Sequence, residues 1–271
     1  MTAPKRFPAS LKSAAVPQRE LLMPQRHLHQ ATRDAARLAR PNGKTTGTGL
    51  DSGAVRKRML DRLRAEGKFD ERVLAAMAAV PRHEFVDTAL AAQAYEDTAL
   101  PIGHGQTISK PSVVAHMLGL LFTGSGARQR GSLGRVLEIG TGCGYQAAVI
   151  AMLARQVTSI ERLQGLHDKA RLNLQRVVLP RSPRLIWGDG RLGHAASGPF
   201  DAIIAAAGGE DIPSAWKEQL APGGRLVAPM AAPGRGQVLV VLDHVVEAGA
   251  SRWVRSEHEA VLFVPLKSGV V

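Results

Sequence analysis

Three glycines at alternating positions form the clearest ligand-binding pattern in the sequence. Gly140, Gly142 and Gly144 lie in R-V-L-E-I-G-T-G-C-G-Y, residues 135–145, and follow a short apolar run. Because glycine has no Cβ, such a turn lets the backbone approach a ligand closely, and the free N–H groups of a following helix favour an electron-rich or anionic group. The stretch therefore predicts a buried strand, a binding turn and a helix start.

The spacing of the glycines indicates which ligand the turn binds. A dinucleotide fingerprint, G-x-G-x-x-G, would need glycine at Tyr145, and a Walker A loop would need a terminal Gly-Lys-Ser/Thr. Glu138, just before the first glycine, suits a cationic amino-acid group better than a phosphate. Glu161 ends the next apolar run, about twenty residues downstream, where an acidic side chain can bind two ribose hydroxyls. The combination favours S-adenosylmethionine over NAD.

A second stretch with chemical potential is L-P-I-G-H-G-Q-T-I-S-K-P, residues 100–111. It is rich in glycine, proline and hydrogen-bonding side chains, so we expect little regular structure in it. Loops of this kind inside a compact domain are often functional. The alternative is a linker in which Ser109 caps the helix predicted over residues 112–121.

Strand-like and helix-like stretches alternate after the glycine turn. Helices are predicted at residues 146–154, 163–177 and 213–220, and strands at residues 156–160, 185–187, 200–205 and 225–228. Helices that connect successive strands imply right-handed crossovers and a mainly parallel sheet. The pattern therefore predicts an α/β domain whose sheet is covered on both faces.

The segments that flank this region have a different character. Two helices are predicted before it, the first from Ala54 to the residues before Gly67, the second with Asp70 as its N-cap and ended by Pro81. Residues 238–243 and 260–265 have the pattern of strands, joined by a turn-rich segment. We therefore expect an N-terminal helical part and C-terminal strands at a sheet edge.

The net charge of +12 is unevenly distributed over the 271 residues. Residues 1–50 carry nine basic and two acidic side chains, which is +7 of that total. We expect a disordered extension with a short helix near residues 31–39. One interpretation is a basic arm that contacts RNA, lipid or another anionic surface. The other is a solvated tail, or a segment that results from a start codon placed too early. The rest of the chain gives a weak case for a nucleic-acid partner.

Several classes of protein and site are not expected from the composition. No apolar run approaches the roughly 18 residues of a membrane span, and the N-terminus has no signal-peptide core. Cys143 is the only cysteine, so the chain can form no internal disulfide, which is compatible with the cytoplasm. The nine histidines, including His27 and His29, form no recognisable ligand set. We expect a cytoplasmic monomer without a metal.

Taken together, these motifs resemble the protein-L-isoaspartate (D-aspartate) O-methyltransferases over residues 55–269. The glycine turn alone would indicate only the class I S-adenosylmethionine-dependent methyltransferases, whereas the loop that ends in Ser109 makes the resemblance specific. The matching motifs are P-R-H-E-F-V (81–86), L-P-I-G-H-G-Q-T-I-S (100–109), V-L-E-I-G-T-G-C-G-Y (136–145), S-I-E-R (159–162), G-D-G (188–190), F-D-A-I-I (200–204) and F-V-P-L (263–266).

The resemblance implies a class I, Rossmann-like fold with a mainly parallel doubly wound sheet. By this resemblance residues 54–271 form the methyltransferase domain, after a basic extension at 1–53. Within the domain, residues 54–132 hold the helices and substrate loop, 133–230 the cofactor-binding core and 231–271 the C-terminal strands.

The resemblance also implies a protein-repair reaction. A methyl group passes from S-adenosylmethionine to the α-carboxylate of an L-isoaspartyl residue in an age-damaged protein, leaving S-adenosylhomocysteine; acceptance of D-aspartyl residues stays open. Ser109 would orient that carboxylate, with Thr107 and Ile108 beside it. The implied cofactor ligands are Glu138, Gly140, Thr141 and Gly142 for the methionine part, Glu161 for the ribose, and Asp189 and Gly190 for the adenine edge.

The sequence departs from the family pattern at three places. Lys110 replaces a common glutamine, Cys143 occupies a small-residue position, and residues 205–209 are unusually rich in glycine. Two alternatives remain open at this stage. One is a class I methyltransferase that acts on RNA or a small molecule, and the other is a nucleic-acid-binding protein with a vestigial methyltransferase body.

Overall fold

The computed structural model describes residues 53–247 and 249–271. The predicted basic extension and its short helix lie outside these residues. The described chain begins with helices α1 (Gly53–Ala65) and α2 (Glu71–Ala79). Asp70 caps α2 by accepting a hydrogen bond from the Arg72 N–H at 2.9 Å, and the helix ends before Pro81, both as predicted. The apolar faces of both helices are buried.

The central feature of the fold is a seven-stranded sheet. Its strands are β3 Arg135–Ile139, β4 Gln156–Glu161, β5 Arg184–Trp187, β6 Phe200–Ala205, β7 Leu220–Ala232, β8 Gly236–Glu247 and β9 Ala250–Val261. They lie in the order β5-β4-β3-β6-β7-β8-β9, in which the first five are parallel and the last two pair antiparallel. The predicted mainly parallel sheet is confirmed.

Helices cover both faces of this sheet. They are α3 Pro111–Phe122, α4 Ser125–Arg130, α5 Tyr145–Ala151, α6 Gln164–Leu174 and α7 Ser214–Gln219. Val136 and Ile204 face a core formed with α1 to α3 and α5, whereas Leu137 and Ile203 face a second core that contains Trp216 of α7. None of the helices in the described ranges has the length and apolar character that crossing a membrane requires.

The segment expected to lack regular structure is a short hairpin. Strands β1 (Leu100–Gly103) and β2 (Gln106–Ile108) pair antiparallel, with Leu100 opposite Ile108. The turn needs left-handed backbone at His104 (φ 53°) and Gly105 (φ 67°). The prediction was wrong here because its glycines and prolines concealed the buried alternation of Leu100 and Ile102.

The C-terminal strands also differ from the prediction. The last strand was expected at residues 260–265, but β9 ends at Val261 and fills the segment expected to be rich in turns. Most of its side chains are polar and exposed, so hydropathy alone does not reveal it. Pairing with the apolar strand β8 defines it instead. Two helix predictions were too long at their C-terminal ends, since α5 ends at Ala151 and α6 at Leu174.

Candidate active site

One cavity of about 510 Å³ lies at the carboxyl ends of β3, β4 and β6. This edge is where open α/β sheets bind their ligands. The glycine turn forms one wall, the β1–β2 hairpin another, and residues 264–267 a third. Eight of the ten predicted site residues line it: Thr107, Ile108, Ser109, Gly140, Thr141, Gly142, Glu161 and Gly190.

The glycine turn has backbone angles that side chains rarely adopt. The φ angles are +88° at Gly140, +56° at Gly142 and +93° at Gly144. A Cβ on Gly142 would also lie 3.2 Å from Cδ1 of Ile102, on the hairpin opposite. The glycines are therefore needed both for the turn itself and for the close approach of the hairpin.

Glu161 holds the glycine turn in place from the end of β4. Its Oε2 accepts a hydrogen bond from the Gly142 N–H at 2.9 Å, and its Oε1 accepts one from the Leu163 N–H at 3.0 Å. The residue is only 6% exposed but lines the cavity. Because each carboxylate oxygen has a further acceptor site, Glu161 can support the turn and still bind ribose hydroxyls.

Glu138 lies outside the cavity lining, against the expectation of direct cofactor contact. Its side chain is fully buried, and Oε2 accepts a hydrogen bond from the Ser159 hydroxyl at 2.5 Å. The Ser159 hydroxyl in turn lies 2.6 Å from that of Thr141, in the turn. Burial raises the pKa of the Glu138 carboxyl to about 8, although the hydrogen bond from Ser159 opposes this rise. Glu138 therefore supports the glycine turn indirectly, through Ser159 and Thr141, and its carboxyl group is mostly neutral at pH 7.

We expect Glu138→Gln to become progressively more stable than the wild type as the pH rises. The folded carboxyl has a raised pKa, so the stability it contributes is fully present below about pH 4.5 and is lost as the pH rises through about 8. The neutral amide avoids that loss, which is on the order of 5 kcal/mol at full ionisation. Urea unfolding of both proteins from pH 5 to pH 9 tests this, and a difference independent of pH would contradict it.

Both carboxylate oxygens of Asp189 accept hydrogen bonds from backbone N–H groups, one in its own turn and one near the C-terminus. Its Oδ1 accepts a hydrogen bond from the Arg191 N–H at 2.8 Å, and its Oδ2 accepts one from the Gly269 N–H at 2.7 Å. The carboxylate does not line the cavity, whereas Gly190 does. A Cβ on Gly190 would lie 2.5 Å from Cγ2 of Ile139, so only glycine fits there.

Ser109 is half-buried on the cavity wall, and its hydroxyl makes no hydrogen bond with the described part of the chain. The alternative role as a helix cap was wrong. Asp97 instead accepts hydrogen bonds from the Ser112 N–H at 2.8 Å and the Ser112 hydroxyl at 2.7 Å in the first turn of α3. The hydroxyl of Ser109 is therefore available to a ligand.

The structure assigns Arg82, from the P-R-H-E-F-V motif, a role that the sequence did not indicate. The side chain is fully buried. Its Nε donates to the Ala94 carbonyl and its Nη2 to the Ser109 carbonyl, both at 2.7 Å. Arg82 therefore positions the backbone of Ser109 from behind the cavity wall.

The C-terminal segment is another part of the site that the sequence did not assign. Residues 264–267 line the cavity, and they pair with the loop after β6 through the Gly208 N–H to Val264 carbonyl bond and the Leu266 N–H to Gly208 carbonyl bond. The F-V-P-L match was the only signal. A Cβ on Gly208 would lie 2.4 Å from Nε2 of Gln237, which explains the unusual glycine.

The other two departures from the family pattern, Lys110 and Cys143, lie at positions with no direct role in the proposed chemistry. Lys110 is exposed at the start of α3 and does not line the cavity. Cys143 is buried in the glycine turn, and burial raises the pKa of its thiol. A thiol of this kind is a poor nucleophile, consistent with a packing role.

The fold and the cavity together define a class of protein. A mainly parallel sheet, a glycine turn after its central strand and an acid at the end of the neighbouring strand are the features of the class I S-adenosylmethionine-dependent methyltransferases. Within that class, the model of the family Protein-L-isoaspartate(D-aspartate) O-methyltransferase matches residues 54–271. The chain belongs to this family.

Individual relatives agree with this result. The chain is 61% identical over 259 residues to a protein-L-isoaspartate O-methyltransferase of Methylibium petroleiphilum, covering 95% of this chain and 91% of the relative. It is also 61% identical over 247 residues to the enzyme of that name from Leptothrix cholodnii, covering 91% and 83%. The first alignment therefore extends into the basic region before residue 54.

A solved structure supports the fold independently of close sequence similarity. It is a candidate protein-L-isoaspartate O-methyltransferase from Plasmodium falciparum in complex with S-adenosyl-L-homocysteine. Its TM-score is 0.64 at 24% identity, and the match covers 78% of this chain and 98% of the other. The predicted class I fold is confirmed.

Proposed function

We propose that this protein transfers a methyl group from S-adenosylmethionine to the free α-carboxylate of L-isoaspartyl residues in damaged proteins. One observation carries the proposal. Thr107, Ile108 and Ser109 line the same cavity of about 510 Å³ as the glycine turn, so a carboxylate at Ser109 and a cofactor at the turn would meet inside it. Membership in the family supports the reaction, and the residues that line the cavity support the roles assigned to them.

The residues present fit this cofactor. The glycine turn leaves no Cβ at Gly140 or Gly142, which is the cradle that a methionine moiety needs. Glu161 presents a carboxylate to the cavity for the ribose, and Gly190 lines the cavity at the position assigned to the adenine edge. We assign Thr141 to the methionine part, and Glu138 and Asp189 to indirect roles in shaping the turns beside it.

The cofactor supplies the sulfonium methyl group and leaves as S-adenosylhomocysteine. The acceptor carboxylate is already ionised at neutral pH, so the chain does not need a strong general base. An oxygen of that carboxylate would take the methyl group as the carbon–sulfur bond breaks, and the electron pair of that bond would remain on the cofactor's sulfur. Ser109 donates a hydrogen bond to the acceptor, and Thr107 and Ile108 form the wall beside it. Catalysis then depends on in-line positioning and exclusion of water.

We also propose that the chain acts in the cytoplasm as a monomer, on damaged proteins and without a nucleic-acid partner. The sequence supports the compartment and the absence of a nucleic-acid partner, and the monomer is the default assumption. The single cysteine suits a reducing compartment, and residues 51–271 carry only +5 of the total charge. The proposed division into a basic extension at 1–53 and a domain at 54–271 agrees with the bounds of the family match.

Ser109→Ala should lower kcat/KM for an isoaspartyl peptide by roughly 10- to 100-fold, because one hydrogen bond to a charged group is lost. The affinity for S-adenosylhomocysteine and the urea midpoint should stay at wild-type values, since the hydroxyl has no partner in the described chain. Steady-state kinetics, calorimetric titration and urea unfolding measure these three quantities. Ser112→Ala is the matched control, because that hydroxyl bonds to Asp97 instead of facing the cavity. Equal kinetic losses in both variants would contradict the role of Ser109.

A further inference from the structure

An irregularity in the pairing of β9 with β8 places an imidazole and a carboxylate side chain next to each other. Val238 pairs with Ala260 and Val240 with Glu257, so two residues of β9, His258 and Glu259, oppose the single residue between Val238 and Val240. This is a β-bulge, a feature that redirects side chains and is common beside functional sites. In a regular strand, neighbouring side chains would point to opposite faces.

The bulge faces a third such side chain on the neighbouring helix. His116 lies in the middle of α3, and its side chain is 22% exposed. One ligand atom from each of His116, His258 and Glu259 lies within 4.8 Å of the other two. Nε2 of His116 is 2.9 Å from Oε1 of Glu259, and this contact lacks the geometry of a directed hydrogen bond.

We propose that His116, His258 and Glu259 bind one divalent metal ion, Zn²⁺ or an ion with similar ligand preferences. Two imidazole nitrogens and one carboxylate oxygen are a ligand set that Zn²⁺ uses, with a fourth position left for water. The Glu259 side chain is 50% exposed, which gives an ion access from solvent. Two ligand atoms about 2.9 Å apart, not joined by a hydrogen bond, are compatible with sharing one ion at ordinary zinc–ligand distances of roughly 2.0–2.1 Å.

One cation lies near the proposed site. Lys68 acts electrostatically on His116 and on Glu259, but its ammonium group is paired with Glu66 at 2.8 Å.

The position of the site connects it to the cavity without being part of it. Helix α3 begins two residues after Ser109, and β9 leads into residues 264–267 of the cavity wall. An ion held by His116 and the bulge would therefore link α3, which follows Ser109, to β9, which precedes residues 264–267. This inference does not depend on the substrate assigned above, and it replaces the sequence-based expectation of no metal.

The test is titration of the full-length protein with Zn²⁺ in a calorimeter and with Co²⁺ followed by visible absorption. Because His27 and His29 are a further source of imidazole, both are replaced by alanine in every sample. We expect one ion per chain, a tetrahedral Co²⁺ spectrum and a melting temperature that rises with Zn²⁺. His258→Ala and Glu259→Gln should each weaken binding by more than about tenfold.

The matched control is His244→Ala, on the same hairpin, where the ring contacts the Leu220 carbonyl and the Ser251 hydroxyl outside the cluster. It should retain one-to-one binding. The proposal is overturned if the protein shows no saturable binding at one ion per chain, or if His258→Ala and Glu259→Gln bind as tightly as the control. Glu259 is half exposed, so its variant tests the site even if His258→Ala folds poorly.

Discussion

Glu161→Ala should lower methyl transfer by at least about 100-fold and remove measurable binding of S-adenosylhomocysteine. The substitution leaves the N–H groups of Gly142 and Leu163 without their carboxylate acceptor. Each such bond to a charged group contributes about 1.5–3 kcal/mol. The glycine turn would lose its anchor to β4, and the cofactor would lose its ribose ligand at the same time. Calorimetric titration with S-adenosylhomocysteine and initial-rate assays measure the two effects.

Two further variants separate the possible causes. Glu161→Gln keeps one carbonyl acceptor but directs an NH₂ group toward the other backbone N–H, so we expect an intermediate loss. Glu218→Ala removes an exposed carboxylate from α7, away from the cavity lining, and should bind the cofactor product normally. Wild-type affinity in Glu161→Ala would show that the turn does not depend on this carboxylate.

Arg82→Ala should reduce both the stability of the domain and its activity. The substitution removes a fully buried guanidinium and leaves the carbonyls of Ala94 and Ser109 without donors. Each buried carbonyl left without a donor costs about 1–3 kcal/mol, so we expect a loss of about 2–6 kcal/mol, which urea unfolding would measure. Because the Ser109 backbone would lose its support, kcat should fall in the protein that remains folded, with little change in the affinity for S-adenosylhomocysteine.

Arg82→Lys distinguishes positioning from general stability. A lysine keeps the charge but cannot donate to both carbonyls with the geometry of the guanidinium fork. We expect a folded protein with reduced kcat and nearly normal affinity for S-adenosylhomocysteine. Arg128→Ala, at an exposed site on α4, serves as the surface control. If Arg82→Lys lost stability but kept the wild-type kcat, Arg82 would have a structural role only.

Local sequence patterns predicted most of the fold and part of the candidate site. The glycine turn, the acidic residue at the end of β4 and the Ser109 segment each have a type and spacing that one stretch of sequence reveals. Glu138 is different, because burial under the turn depends on how Ser159 and Thr141 pack around it. The same holds for Asp189, whose second oxygen is taken by Gly269, eighty residues away.

The features that sequence reasoning missed depend on long-range contacts. Arg82 reaches the Ser109 carbonyl across 27 residues, and nothing local marks it as a support for the cavity wall. Strand β9 is polar and is defined by its partner β8. The cluster of His116, His258 and Glu259 needs both the bulge and the packing of α3, so a search for histidine spacing could not find it.

The most direct measurement is methyl transfer from labelled S-adenosylmethionine to two peptides that differ only in aspartate or isoaspartate at one position. The account predicts label on the isoaspartyl peptide alone, as a base-labile ester, with recovery of some normal aspartyl peptide after longer incubation. Transfer to neither peptide, by a protein that binds S-adenosylhomocysteine, would contradict the proposed substrate. Equal labelling of both peptides would contradict the proposed specificity.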